Sequence, residues 1–387
     1  MPKYAISMIL SLLILGCSDS IFNNNDRFII VFDQGLDLSY IINELKDDSI
    51  KVRARLDIIN GISCRLNDIQ LVFVKSLPFV RYIEEDSELF MLDYGPPETL
   101  LTVHQAGPIV SESIDWGVRR INAPETWDIT QGRNVGIGVI DTGISSSHPD
   151  LSGAVIGGFN AINEGSYEDD NNHGTYVASV IAARRNGVGI VGVAPEAMLY
   201  SIKTMNSKGR GYISDVIKGC QWGLNNGIRI LNMSLGSGVN SNALREAMDV
   251  LASHGIATIA ACGNEGKHGE YYPARDNVTV CVGGSDMDDK RAAWSNYGAA
   301  LKDNGVLAPG EWIHVANKDG EWQNVSGTSI ATPHVTGIVA LLSEIGIHDR
   351  EHIRKYIFSG ASQPENPDEF NGHGVVNAKR ALDLLIH

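Results

Sequence analysis

Val135-Gly136-Ile137-Gly138-Val139-Ile140-Asp141-Thr142-Gly143 is the stretch on which the fold turns. Its apolar run from Val135 to Ile140, closed by Asp141 and Gly143, reads as a buried parallel strand that gives way to a loop. Helical patterns follow further along. His173 opens one, with Val177, Val180 and Ile181 behind it, and Ser329 precedes another, with Pro333 in its first turn and Val335, Ile338, Val339 and Leu342 at helical spacing. The expected class is α/β, a mostly parallel sheet flanked by helices, in which strand ends and helix starts converge on one crevice.

Three segments then occur in order: Val139-Ile140-Asp141-Thr142-Gly143, Asn172-His173-Gly174-Thr175, and Gly327-Thr328-Ser329-Ile330-Ala331-Thr332-Pro333-His334. Each places one chemically capable side chain among small residues. A carboxylate, an imidazole and a hydroxyl are what a serine nucleophile needs: a base to take its proton and an acid to orient that base. Each residue taken alone has a plainer reading. Asp141 caps a turn, His173 starts a helix and Ser329 is an ordinary N-cap. Two further segments weigh against that set of coincidences: Asn232-Met233-Ser234-Leu235-Gly236 and Cys262-Gly263-Asn264-Glu265-Gly266.

On these five motifs the chain resembles the subtilisin-like serine proteases, which share the order Asp, His, Ser. The resemblance covers roughly Trp116 to the C-terminus. It implies a three-layer subtilisin-like fold and a triad of Asp141, His173 and Ser329. Asn264 and the Ser329 N–H would then supply the oxyanion donors. It also implies that an extended peptide pairs with Ser234, Leu235 and Gly236 on one side and with Gly209-Arg210-Gly211 on the other. Tyr271 falls near the base of the main specificity pocket, where a ring should favour small or medium side chains. Catalysis needs no cofactor, but a structural calcium ion is implied. Asp150 and the loop from Arg184 to Ile190 would hold it, through Asn186 and the carbonyls of Arg184, Val188 and Ile190. Two positions depart from the family pattern: Tyr176 stands for a histidine and Ile330 for a methionine.

The front of the 387-residue chain is something else. Residues 1–16 hold one lysine and then an apolar run too short for a bilayer of roughly 20 helical residues, which reads as a signal peptide. Ile14-Leu15-Gly16-Cys17-Ser18 is similar to a bacterial lipobox, so residues 17–27 become a tether with lipid on Cys17; a plain secretory signal is the other reading. Residues 28–93 alternate strand and helix: Phe28–Phe32, Ser39–Leu45, Val52–Ile58, Ile62–Leu66, Ile69–Ser76 and Val80–Asp86. This resembles a small α+β (ferredoxin-like) inhibitory propeptide, whose partner would be the chain's own catalytic region. Gly95-Pro96-Pro97 starts a linker and processing region over 94–115, with self-cleavage expected between about Phe90 and Glu112, and the catalytic domain runs 116–387.

A net charge of −15 argues against nucleic acid as partner. Polypeptides are the expected substrates, the membrane is met only through Cys17, and an exported monomer is expected. Five cysteines make no disulfide framework; a Cys262–Cys281 bridge is open, as are buried free thiols. Two other functions share the motifs: an ester hydrolase on the same triad, and a surface lipoprotein blocked by its propeptide and acting as a binding module. Glu168-Asp169-Asp170 reads as a solvated loop.

Overall fold

The structure, a computed structural model, describes residues 26–47, 49–92, 111–363 and 365–386. The expected signal peptide, Cys17 and most of the 94–115 linker lie outside the described residues.

The front unit follows the expected pattern. Strands β1 (Asp26–Phe32), β2 (Lys51–Leu56), β3 (Gly61–Leu66) and β4 (Val80–Glu85) form an antiparallel sheet of order β2-β3-β1-β4. Helices α1 (Leu38–Asp47) and α2 (Asp68–Ser76) connect them, the latter opened by a capping box between Asn67 and Gln70. The predicted strand Val52–Ile58 stops at Leu56, because Asp57–Ile59 tightens into a 3-10 turn whose C-cap Asn60 takes a left-handed φ of 51°. In β1 successive side chains point to opposite faces. Ile30 and Phe32 enter a cluster with Leu38, Ile41 and Leu45 of the unit's own helix. Ile29 and Val31, with Leu56 and Ile59, enter a different cluster shared with the rest of the chain. That is why the run Phe28–Phe32 is apolar throughout rather than alternating.

The larger unit carries a seven-stranded sheet of order β14-β13-β12-β10-β6-β8-β7, every neighbouring pair parallel. Its strands are β6 (Gly136–Asp141), β7 (Val155–Asn160), β8 (Met198–Lys203), β10 (Ile230–Met233), β12 (Ala257–Ala261), β13 (Val280–Ser285) and β14 (Gly305–Pro309). Helices α4 (His173–Ala182) and α8 (Thr328–Glu344) share one apolar cluster with the sheet, while α5 (Ile213–Asn225) and α6 (Asn242–Ser253) lie in the cluster that also takes Ile29 and Val31. Helix α3 (Trp116–Arg120) opens the unit, α7 (Ala299–Asn304) precedes β14, and α9 (Arg350–Gly360) and α10 (Ala378–Ile386) close it. A hairpin of β15 (Ile313–Ala316) and β16 (Trp322–Val325) precedes α8. This is the expected three-layer architecture. Main-chain pairing begins a little ahead of Trp116, since the Ser113 N–H donates to the Gly189 carbonyl at 2.9 Å.

The two units meet on α5 and α6. Ile29, Val31, Leu56 and Ile59 are fully buried there. At about 1.5–3 kcal/mol for each buried aliphatic side chain, this apolar patch is the main attraction. Carboxylates then fix the register. Glu84 accepts from the Asn242 N–H at 2.9 Å at the start of α6, and Asp86 accepts from the Ser214 N–H at 2.9 Å at the start of α5. Unpaired first-turn donors and the positive dipole end favour such placement. Asp86 also accepts from Arg27 Nε at 2.9 Å and from Ser63 Oγ at 2.9 Å, so a nearly buried ion pair within the front unit lies at the seam, and Arg27 Nη2 reaches across it to Ser214 Oγ at 3.0 Å.

Candidate active site

Strand β6 ends at Asp141 beside the point where the chain leaves for β7 on one side and β10 on the other, the switch point of an open sheet. Asp141 Oδ1 lies 2.8 Å from His173 Nδ1 and accepts the Thr142 N–H at 2.7 Å. His173 is the first residue of α4, as expected, and both side chains are buried. Gly174 lets the two segments touch: a Cβ there would lie 2.0 Å from the Gly143 carbonyl oxygen. Any side chain would push the imidazole away from its carboxylate.

The acidic run ahead of His173 is only partly solvated. Glu168 and Asp170 are exposed, but Asp169 turns inward and organises the loop. Its carboxylate accepts from Thr142 Oγ1 at 2.9 Å, the Asn171 N–H at 2.9 Å and Thr175 Oγ1 at 2.6 Å. Thr142 Oγ1 in turn accepts the Gly174 N–H at 3.0 Å. Asp169 therefore ties the Asp141 loop to the His173 helix, which corrects the expectation of a solvated loop. Its tie to the Asp141 loop runs through Thr142, 27 residues away, so composition alone did not reveal it.

Ser329 is the second residue of α8 and is buried. Its N–H is one of the first-turn donors that a helix leaves without an intrahelical partner. Asn264 faces it from the loop after β12. The Asn264 Oδ1 accepts the Thr328 N–H at 2.9 Å and Thr328 Oγ1 at 2.8 Å, which fixes the amide so that Nδ2 must point the other way. Nδ2 donates to the Leu92 carbonyl at 2.7 Å. Gly327 marks the convergence. A Cβ on it would sit 3.1 Å from Ser329 Oγ, 3.3 Å from Asn264 Nδ2 and 3.4 Å from the Leu92 oxygen.

Leu92 reaches this spot on a strand the sequence did not signal. Strand β5 (Glu88–Met91) lies between β9 (Arg210–Tyr212) and β11 (Leu235–Gly236), antiparallel to both. The Met91 N–H donates to the Gly209 carbonyl at 3.0 Å and the Leu92 N–H to the Ser234 carbonyl at 3.3 Å. Gly209, Gly211, Ser234, Leu235 and Gly236 thus all flank an extended segment of the chain itself. Leu89 is fully buried in one cluster with Ile213, Val216, Leu235 and Leu244. A Cβ on Gly236 would lie 3.3 Å from Leu92 Cδ1 and 3.0 Å from Tyr271 Cβ, so Tyr271 stands beside the Leu92 side chain. Its hydroxyl donates to Glu265 Oε1 at 2.5 Å, and Glu265 Oε2 accepts from Asn296 at 2.8 Å, which holds the ring in place.

The residues expected to hold calcium come together from two places, Asp150 in the 3-10 turn Pro149–Leu151 and the loop from Arg184 to Ile190. Asp150 is buried, its Oδ2 accepts from the Ile190 N–H at 2.9 Å and from Trp322 Nε1 at 2.6 Å, and its Oδ1 has no partner. Burial, with some help from Glu112, pushes the Asp150 carboxyl up to about 6. Glu112, which the sequence reading missed, accepts the Gly187 N–H at 2.8 Å. Arg184 directs its guanidinium away to the Pro195 and Gly153 carbonyls. Asn186 is turned otherwise than a ligand would be: its Oδ1 accepts the Val188 N–H at 3.2 Å and its Nδ2 donates to Pro149. One orphaned buried carboxylate oxygen with a second carboxylate nearby fits a hard cation that takes oxygen ligands. Among the described residues no cluster of three or more His, Cys, Asp or Glu side chains forms a metal site. Cys64, Cys220, Cys262 and Cys281 are free and buried.

Comparison with known proteins agrees with this geometry. A sequence model described as the Subtilase family matches residues 132–374. M-protease of Shouchella clausii (strain KSM-K16) is 34% identical over 344 residues, covering 88% of this chain and 84% of the relative. Subtilisin E of Bacillus subtilis (strain 168) is 34% identical over 366 residues, 92% of this chain and 90% of the relative. Subtilisin BL of Lederbergia lenta is 38% identical over 278 residues, 70% of this chain and 99% of the relative.

Proposed function

We propose a full catalytic and maturation cycle for this chain, which belongs to the subtilase family and is a serine endopeptidase. His173 takes the Ser329 proton as the hydroxyl attacks a peptide carbonyl. Asp141 holds the imidazole tautomer and stabilises the imidazolium. Asn264 Nδ2 and the Ser329 N–H hold the developing oxyanion, and His173 then protonates the leaving amine. Water repeats the sequence on the acyl-enzyme. The observation that carries this reading is the Leu92 carbonyl on Asn264 Nδ2, at the end of a strand paired on both sides. The chain's own segment Glu88–Leu92 occupies the position of an acyl-side substrate. The first bond cut is then Leu92–Asp93, near the upstream end of the Phe90–Glu112 interval.

The front unit acts as inhibitor and folding template for the catalytic unit, since it buries apolar faces of α5 and α6 and caps both helices. Lipid on Cys17, if attached, stays with the propeptide, so processing releases an exported, monomeric catalytic domain. Among the described residues no helix is long and apolar enough to cross a membrane. Asp150, Glu112, Asn186 and the carbonyls of the Arg184–Ile190 loop would hold a structural calcium ion, which would supply the positive charge that these carboxylates lack. Tyr271 walls the pocket beside Leu92 and favours medium aliphatic side chains there. An ester hydrolase and a blocked binding module are not favoured, because the paired strands recognise a peptide main chain.

A fluorophosphonate probe tests the catalytic roles. It should label the self-processed wild-type enzyme on Ser329 and leave Ser329→Ala unlabelled. Absence of label from wild type, or label on another residue, contradicts the assignment.

A further inference from the structure

Arg210 sits on β9 directly opposite Phe90 of β5, with Glu88 two residues along on the same face of the strand. Its guanidinium approaches Glu88 Oε2 at 3.4 Å and lies 5.5 Å from the centre of the Phe90 ring. The Phe90 side chain is itself 40% exposed, so the main chain rather than a pocket holds that residue in place. The Glu88 and Phe90 contacts of the Arg210 side chain both come from the segment in the substrate position. When that segment leaves, the guanidinium overhangs an open groove next to Gly209 and Gly211.

We propose that Arg210 is a specificity-determining residue: it selects peptides with a carboxylate at the fifth position and an aromatic ring at the third position before the scissile bond. The inference deepens the peptidase reading above and rests on Leu92 being the residue before the cut. A guanidinium attracts a carboxylate by charge and an aromatic face by its quadrupole, and Arg210 meets one of each on a single edge. Half-exposed groups of this kind are screened, so the selection is moderate and salt-dependent. Most of the selectivity remains with the buried Leu89 and Leu92 side chains; Arg210 biases the choice among peptides that already fit.

The test uses enzyme produced as the full chain and allowed to process itself. Its substrates are peptides built on Glu-Leu-Phe-Met-Leu-Asp-Tyr-Gly, the chain's own residues 88–95. With glutamate in first place kcat/KM should exceed that with lysine by about fivefold at low salt, and the ratio should fall toward one in about 0.5 M salt. Replacing the phenylalanine by alanine should cost about threefold more in wild type than in Arg210→Gln. Arg210→Glu should invert the preference, which a merely structural role would not do. In the precursor, Arg210→Glu should slow processing, and Glu88→Arg added to it should restore the rate. An unchanged glutamate-to-lysine ratio in Arg210→Glu overturns the inference and leaves the peptidase reading standing. Failure of wild type to cut any of these peptides overturns both.

Discussion

The two larger sheets of this molecule satisfy their polar groups in opposite ways. In the seven-stranded unit, the bonds that set the catalytic residues come from the same unit: Asp141 on His173, Asp169 on Thr142 and Thr175, Asn264 Oδ1 on Thr328. In the four-stranded unit, Glu84 caps α6, and Asp86 pairs with its own Arg27 while capping α5 across the seam. The catalytic residues of the larger unit are braced from within it. The other holds carboxylates at its rim whose partners lie across the seam. A catalytic centre must outlast many cycles, whereas an inhibitor must part once, and the placement of charge follows that difference.

The comparison breaks most sharply at Asp86. Asp86→Ala removes the nearer of the two carboxylates that face buried Arg27, leaving Asp215 at 3.8 Å, and removes the acceptor at the start of α5, a loss of about 3 kcal/mol. Active enzyme should emerge from the processed complex hundreds of times faster, read as the lag before a chromogenic peptide is cleaved; an unchanged lag would show that the apolar patch alone holds the seam. Asn264→Ala comes next. It should lower kcat by about 100- to 1,000-fold with little change in KM, because that donor acts on charge that develops only in the transition state.

A third test lies deep in the catalytic unit. His334 is fully buried on α8, its Nδ1 bonded to the Ile330 carbonyl at 3.0 Å, and burial lowers its pKa to about 4. The folded state therefore keeps the ring neutral, while the unfolded chain takes a proton below about 6.5. Stability from this group is present above pH 6.5 and lost as pH falls toward 4, by about 3 kcal/mol in all. In a Ser329→Ala background, the stability gap between His334 and His334→Gln should narrow between pH 7 and pH 4 on urea unfolding. A constant gap would contradict the assignment of a neutral ring. The smallest effect is chemical. Ile330 is buried beside the nucleophile, and Ile330→Met introduces a thioether open to sulfoxide formation, so activity should decay faster in peroxide. Equal decay would show that peroxide does not reach that position.

Much of this was legible in the sequence where the signal is local. The apolar run ending at Asp141, the helix opened by His173 and the helix behind Ser329 all lie where the pattern put them. The strands and helices of the front unit do so as well, apart from the turn at Asp57. Strand β5 was not legible. Four residues are too few to show a period, and both partners lie more than a hundred residues away in the chain. Asp169 and Glu112 escaped for a different reason: a carboxylate that organises a loop looks like a solvated one until its donors are known.

The central claim is that the segment ending at Leu92 is the enzyme's first substrate. N-terminal sequencing of the catalytic fragment, from wild type beside Ser329→Ala expressed as full chains, tests it most directly. The account predicts a wild-type fragment that begins at Asp93 and an uncut Ser329→Ala chain. A first cut at another bond, or the same fragment from Ser329→Ala, would contradict it.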